Sequence, residues 1–536
     1  MQCSRLLATI ILGTALGAAL TTAPLQAADT AHAAGEGRTM EFVRVSDDGW
    51  NFEKQPSGER FVPFGANLIF NYRLHRGQGL HILTQEEWDP DAIRAVFAGA
   101  AALHMNVLKV FMTSSGVLTD PQPRDGVRFA AMTPPFLERL DQVFQVARAT
   151  GVYVSLTFAE WGCHSLRWWQ DGGTFLGRAD EQEAEHDSFA VLASFWKTLA
   201  ERYRDEPALL SYNFAVEFYM PGGNWGAHKD AGHDYLLNDR WGLPAWHQWI
   251  RDEYATETAL NEAWATEYAR IDEVAQPEID FVDGGNWQGH YTMPRRMIAD
   301  YLTFKECVTY RFLKNQADAI RTVDKRHLLT CGFHPHQPVV GWMGSARYTA
   351  GITVRELDFL DYLTTHIYTN PPDYSAGAPP PDRHPAIVGA RFMYAGKPVV
   401  VEEMGHVVKD REETTRETVA LVRDLRGHAS GFMLWFLSDL AGEPVFPCGP
   451  LGLDLTPNAF GVEWRKLAEP GGLVDTLPRK RADARTILRV DRLAGFVPDR
   501  KTAGQNLLEH WDVFPQPVDF ECPPNPVLAK SRASNR

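Results

Sequence analysis

Short apolar runs alternate with stretches of helical periodicity along most of this chain, and that alternation is what limits the folds open to it. The runs are Arg60–Asn67, Asn106–Met112, Val152–Phe158, Leu209–Glu217, His327–Phe333, Asp361–Tyr368, one opening at Val399, and Gly431–Trp435. Helical segments fall between them near Ile93–Phe97, Phe136–Ala149, Ser188–Tyr203, Arg296–Val323 and Glu417–Leu425. A run such as Val399-Val400-Val401 has no room for a helical period and is apolar at every position, so it reads as a strand of a parallel sheet buried on both faces. Eight strands in this order predict an α/β fold, a (β/α)8 TIM barrel with its functional groups on the loops at the carboxyl ends of the strands.

The period breaks between Phe218 and about Met293. There the Gly-rich loops Pro221–Trp225 and Gly284–Trp287 flank one helical stretch, Trp246–Trp264, so residues 219–293 read as a long insertion after strand four. The barrel is expected to occupy residues 41–471 and a C-terminal extension residues 472–536. In the extension, Arg479-Lys480-Arg481 reads as a solvated face. Residues 1–28 read as a signal peptide, since Arg5 precedes the apolar run Leu6–Leu12 and small residues follow at Ala27-Ala28; residues 29–40 are a linker. The expected location is secreted or periplasmic, with no membrane association after cleavage. Cys3 leaves with the leader, and an odd set remains (Cys163, Cys307, Cys331, Cys448, Cys522), which allows at most two internal bridges. A net charge of −15 gives no basic footprint, so nucleic acid is excluded as a partner.

Carboxylates stand where buried strands open into loops. Glu217 ends strand four, and Glu402-Glu403 end strand seven. Burying a carboxylate is costly unless it is paired or needed, so such positions are candidates for chemistry. Side chains alternate along a strand, so Glu402 and Glu403 are expected to point in different directions, with only one of them facing the site. Two carboxylates about 5 to 5.5 Å apart, one protonated and one ionised, are what double displacement at a glycosidic carbon requires, and no cofactor is needed. The chain also has 16 Trp, whose indole faces stack on sugar rings as well as filling cores. Trp168, Trp169, Trp225 and Trp287 lie in loops expected at the barrel mouth and are candidates for sugar subsites. Glu160-Trp161 after strand three is a candidate for bonding and stacking a sugar, with a core-edge Trp and a surface Glu as the alternative. His334-Pro335-His336 has the alternation of a metal pair but no acidic third ligand nearby, and no metal is expected.

Glu217 on strand four, His366-Ile367-Tyr368 on strand six, Glu403-Met404-Gly405 on strand seven and Trp435 on strand eight together resemble the retaining β-glycosidases of the large barrel clan. Within that clan the chain looks most like glycoside hydrolase family 5, especially its β-mannanases, from about Phe42 to Trp435. The resemblance implies that Glu217 is the general acid/base and Glu403 the nucleophile, so that Glu402 is the one expected to point away from the pocket. It further implies that His366 and Tyr368 contact sugar and nucleophile, and that Trp435 is the platform under the reacting ring. Three positions depart from the pattern. Val216 stands where the clan places an Asn that bonds the sugar 2-hydroxyl, Phe218 follows the acid/base, and Lys109 replaces the Arg that bonds the nucleophile. Asn67, Asn213 and Glu160 are the residues that could supply the missing 2-hydroxyl bond.

The leading expectation is therefore a secreted hydrolase cutting a β-mannan or related plant-type polysaccharide internally, with a polysaccharide or oligosaccharide as its partner. The segment Tyr254–Trp264 is similar to a helical insertion of the family 42 β-galactosidases. This makes an exo-acting β-galactosidase-like hydrolase the second enzyme reading, beside a β-glucan hydrolase. A sugar-binding barrel without turnover, suggested by Val216 and Lys109, is the reading from another class.

Overall fold

The computed structural model describes residues 40–68, 83, 88–112, 134–158, 188–216, 242–275, 296–297, 300, 304, 313–332, 359–368, 397–406, 408–427, 429–440 and 447–478. Eight parallel strands form a nearly closed barrel: β4 (Phe64–Leu68), β5 (Val107–Met112), β6 (Tyr153–Phe158), β7 (Leu209–Asn213), β8 (Leu328–Thr330), β9 (Leu363–Tyr368), β10 (Val399–Gly405) and β11 (Gly431–Leu434). They lie in the order β8-β7-β6-β5-β4-β11-β10-β9. Between β8 and β9 the main chain contributes Asp361 N–H to Leu329 O at 2.9 Å. Threonine hydroxyls extend that seam, with Thr330 Oγ1 donating to Tyr362 O and Thr364 Oγ1 to Cys331 O, each at 2.8 Å.

Before the barrel come three short antiparallel strands, β1 (Phe42–Val45), β2 (Phe52–Gln55) and β3 (Arg60–Phe61). The single run expected at Arg60–Asn67 is thus two strands. Pro63 between them has no N–H to give to a ladder, so β3 stays with the small sheet and β4 enters the barrel. The small sheet is the floor of the barrel. Its Val43, Phe52 and Phe61 pack against Val107, Tyr153, Leu328, Tyr362, Val400 and Met433, which come from the bottom of successive strands. Phe52 meets Tyr362 edge-on at 5.4 Å and Phe61 meets Tyr153 at 5.0 Å. Alternate residues of the same strands, among them Leu108, Val110, Val154, Leu156, Leu363 and Ile367, belong to the larger core with the helices. Both faces of each strand are therefore covered, which is why the runs are apolar throughout rather than alternating.

Local chemistry sets the helix bounds. In α1 (Pro90–Ala102) Asp89 accepts from Asp91 N and Ala92 N while Pro90 opens the helix, and Ile93, Val96, Phe97 and Ala100 form the buried face. Helices α2 (Pro134–Thr150) and α3 (Ser188–Tyr203) follow the expected segments closely. The stretch Trp246–Trp264 is two helices, α4 (Gly242–Tyr254) and α5 (Glu257–Trp264). Ala255 takes φ 59° between them and Thr256 caps α5 through Ala259 N. Helix α6 (Arg411–Asp424) starts earlier than the apolar pattern suggests because Asp410 caps it at Glu413 N. Helix α7 (Ala459–Ala468) completes the ring, and Leu477 beyond it is still in the core. Cys331 and Cys448 are buried thiols outside any disulfide, which leaves at most one bridge among Cys163, Cys307 and Cys522, all outside the described residues. Among the described residues no helix is long and apolar enough to cross a membrane.

Part of the tryptophan richness is structural. Trp246, on the insertion's first helix, stacks on Trp249 at 5.4 Å and on Trp264 at 6.0 Å, with Phe304 of the barrel helix at 5.3 Å. Asp300 on that same helix accepts Trp264 Nε1 at 2.7 Å and the Arg296 guanidinium at 2.9 Å, and it bonds the Tyr254 hydroxyl. The α4–α5 part of the insertion is thereby fastened to the barrel.

At the foot of β8, Asp324 is buried and accepts Tyr212 OH at 2.9 Å and Arg326 N at 2.9 Å, with His327 Nδ1 at 2.5 Å. Burial opposes its charge, but the His327 ring and the two backbone amides outweigh that and hold its carboxyl at about 2. A depressed folded value contributes stability that is complete above the unfolded value and is lost as pH falls through about 2. We expect Asp324→Asn to cost on the order of 2 kcal/mol at pH 7, read from urea midpoints, with the deficit shrinking as the acid limb is approached.

Candidate active site

Strand β10 carries a bulge. Its pairing with β9 slips between Val401 and Glu403, and its pairing with β11 slips between Val401 and Met404. An extra residue in one strand breaks the alternation of side chains. Val399, Val401 and Met404 then lie in the outer core, while the carboxylates of Glu402 and Glu403 both meet the same inward-facing groups. The expectation that Glu402 turns away from the site is corrected by this.

Lys109, at the middle of β5, is fully buried and lies 3.1 Å from Glu402 Oε2 and 3.9 Å from Glu403 Oε1. It therefore stands where an Arg was expected, but its charge is shared between two carboxylates. Its Nζ is also 5.2 Å from the centre of the Phe111 ring. Burial alone would raise the Glu402 carboxyl; the Lys109 ammonium and the His366 ring outweigh it and hold it below the ordinary carboxylate range. Asn213, the last residue of β7, donates Nδ2 to Glu402 Oε2 at 2.8 Å and accepts Gly332 N at 2.9 Å.

His366 is buried between the two acids, with Nε2 3.4 Å from Glu402 Oε1 and Nδ1 3.2 Å from Glu403 Oε2. Tyr368, two residues on, donates its hydroxyl to Glu403 Oε2 at 2.9 Å. Trp435, following β11, is held by its amide on Met404 O at 3.1 Å, and its ring is 6.3 Å from Phe111. Lys109 from the middle of β5 thus meets His366, Tyr368, Glu403 and Trp435 from the carboxyl ends of β9, β10 and β11.

Asn67 has a different task from the one considered for it. Its amide donates to Glu402 O at 2.8 Å and to Leu434 O at 2.7 Å, so both donors are spent tying the bulge of β10 to β11 and β4. Asn67 therefore has no amide proton left for a sugar hydroxyl, while Asn213 has one of its two engaged by Glu402. Val216 lies in the apolar core. Glu217, one residue further, lies outside the described residues, as do Glu160, Trp161, Trp168, Trp169, Trp225, Trp287, His334 and His336. Among the described residues no group of three or more His, Cys, Asp and Glu could hold a metal ion.

Residues 178–379 match the family model of the glycoside hydrolase family 42 β-galactosidases. No curated protein matches the chain. Among solved structures, the chain is similar to the β-galactosidase of the Antarctic haloarchaeon Halorubrum lacusprofundi (TM-score 0.50, 18% identity), covering 75% of this chain and 58% of that one. It is similar to the β-galactosidase of Rahnella sp. R3 (0.51, 14%), covering 83% of this chain and 58% of that one. It also matches the catalytic domain of the β-amylase of Paenibacillus polymyxa (0.52, 12%), covering 78% and 99%. At these identities the structures speak for the fold, and the chain spans well under two thirds of the two β-galactosidases. The fold is a barrel of parallel strands, and the model matched over residues 178–379 is that of a glycoside hydrolase family. The matched family is 42, the source of the second enzyme reading, rather than 5.

Removing the shared cation tests this arrangement. Lys109→Met leaves two buried carboxylates facing one another, and we expect a loss of about 3 kcal/mol or more at pH 7, measured by urea unfolding. Without the ammonium, burial raises the carboxyls, so the loss should be smaller at pH 5 than at pH 7.

Proposed function

We propose that this chain is a retaining β-glycoside hydrolase of β-galactosidase type that removes terminal sugars, with Glu403 as nucleophile and Glu217 as general acid/base. The observation that carries the reading is the setting of Glu403. Its carboxylate is buried at the carboxyl end of a barrel strand, accepts the Tyr368 hydroxyl at 2.9 Å and faces His366 at 3.2 Å. The family match supports it from another side, because residues 178–379 include Glu217, the helices α4 and α5, and both His366 and Tyr368.

The chemistry follows from these positions. An ionised Glu403 attacks the anomeric carbon while Glu217 gives its proton to the departing oxygen; Glu217 then takes a proton from water, which displaces the enzyme from the sugar. The Tyr368 hydroxyl fixes one carboxylate oxygen, so the other is the one presented to the anomeric carbon. Trp435, anchored on Met404 O, supplies an aromatic face beside the same acid. The mannan reading rests on the likeness to family 5 of the opening Phe42–Arg44 and Phe61–Asn67 and of the motifs at Glu217, His366–Tyr368, Glu403–Gly405 and Trp435. The family match favours galactose and terminal action, since it covers the segment after strand four that would wall off one side of the cleft. Export through residues 1–28 remains part of the proposal.

Initial rates on aryl β-galactoside, β-mannoside and β-glucoside decide the substrate. We expect the highest kcat/KM on the galactoside, with the β-anomer of the free sugar formed first. A mannoside preference, together with a rapid fall in the viscosity of soluble mannan, would return the family 5 reading. Binding of sugars with no turnover on any of the three would make the protein a sugar-binding barrel.

Roles are tested separately. Glu403→Ala should lower kcat by roughly 10⁴-fold or more, the scale of losing a covalent nucleophile. Glu217→Ala should spare activated aryl glycosides far more than alkyl ones, and azide should then give a β-glycosyl azide. Equal damage to both substrate types would argue against Glu217 as the proton donor.

A further inference from the structure

The reaction proposed above uses Glu403 and gives Glu402 no part in it, yet a second buried carboxylate is costly to keep and its surroundings are built to hold it. Gly332 makes the space. A Cβ at that position would lie 2.5 Å from Glu402 Oε1 and 2.5 Å from Ala215 O. Asn213 and Lys109 occupy Oε2, at 2.8 and 3.1 Å, so Oε1 is the oxygen turned to His366.

Both ring nitrogens of His366 face carboxylate oxygens, Nε2 that of Glu402 at 3.4 Å and Nδ1 that of Glu403 at 3.2 Å. Ionised carboxylates only accept hydrogen bonds. A neutral imidazole has one N–H and one lone pair, so in either tautomer a lone pair would be set against a carboxylate in a dry interior. Only the imidazolium donates on both sides. The charge count among the described groups points the same way, because Lys109 alone cannot balance Glu402 and Glu403.

We propose that Glu402 is a positioning residue which, opposite Glu403, holds His366 as an imidazolium, so that the reacting carboxylate works within a balanced set of two cations and two anions. Around this set stand Lys109 from β5, Asn213 from β7, Cys331 after β8, Tyr362 at the foot of β9 and Tyr368 at its end. Burial and the charge of Glu402 keep the Cys331 thiol protonated, and burial does the same for the Tyr362 phenol. Loss of the ring proton at high pH leaves one excess negative charge and turns a lone pair on a carboxylate, which loosens the hold on Glu403. Calling Glu403 the reacting group rests on the proposed function; the protonation of His366 does not.

The test is the ring-nitrogen NMR of the full chain labelled with ¹⁵N-histidine, with the His366 signals assigned through His366→Asn. In the unsubstituted protein both ring nitrogens should stay protonated through about pH 8. In Glu402→Gln the ring should lose its proton at least about one pH unit lower, the scale of removing one opposite charge at this distance. The alkaline limb of kcat/KM should move in the same direction. Glu402→Asp keeps a carboxylate near Lys109 while drawing it back from His366, and is read in the same way if the Gln form does not fold. A neutral His366 at pH 6, a ring titration unmoved by either substitution, or an alkaline limb that does not follow the ring each overturns the proposal. The spectra need no turnover, so a chain that hydrolyses no glycoside sinks the functional reading while leaving this one to be decided by the ring nitrogens.

Discussion

A single ammonium group, Lys109 Nζ, lies at the centre of the barrel with no exposure to solvent, and the polar groups above it are arranged by its charge. A lysine in such a place is kept only if anions come to it. Two do, and both come from one strand, which is why β10 must be bulged there: a regular strand would deliver one carboxylate inward and bury the other in the helix layer. The bulge in turn needs an anchor for its main chain. Asn67 supplies it from the neighbouring side of the barrel by donating to Glu402 O and Leu434 O. Cation, bulge and amide anchor form one dependency, each explaining why the next is present.

Below this polar layer the barrel is apolar, and a change of character over two to four residues along β5, β9 and β10 separates floor from site. On β5 the step is from Val107 to Lys109, on β9 from Tyr362 through Thr364 to His366, and on β10 from Val400 to Glu402. Between the two zones lies a chain of hydroxyls, Ser155 to Ser211 at 2.9 Å and Ser211 to Tyr362 at 2.9 Å, which lets polar groups be buried without charge. The described residues beneath the carboxylates are buried. The electrostatics of the carboxylates are therefore governed by neighbours rather than by solvent screening.

Much of the architecture was legible because each barrel strand is an apolar run too short for a helix, as in Val152–Phe158 and Val399-Val400-Val401. Three features were not. The division at Pro63 was hidden because residues on both sides of it are apolar, and only the missing N–H marks the change of sheet. The turn at Ala255 was hidden because alanine gives no sign of a left-handed backbone, although Thr256 followed by an acidic first turn is a capping signal. The inward turn of Glu402 depended on the register between β9, β10 and β11, a property of strand pairing that one strand read alone does not contain. In the site itself, Glu403, His366, Tyr368 and Lys109, singled out by residue type, are brought together by the fold. Asn67 shows where that approach stops, because an amide bonding a sugar and an amide bonding a carbonyl are the same letter.

The floor sheet has a temporal consequence. Strands β1 to β3 are the first described part of the chain, yet their buried faces rest on residues from every later quarter of the barrel, the last being Met433. Likewise β4 finds its outer neighbour only in β11, where Phe64 stands opposite Phe432. Contacts between such distant positions must bear the entropy of closing nearly the whole chain into a loop before they return any stability. An N-terminus emerging first thus waits with Val43, Phe52 and Phe61 uncovered until the final strand arrives. Closure of the barrel is a late, concerted event, and a chain cut short before β11 would expose an apolar floor and two open strand edges together.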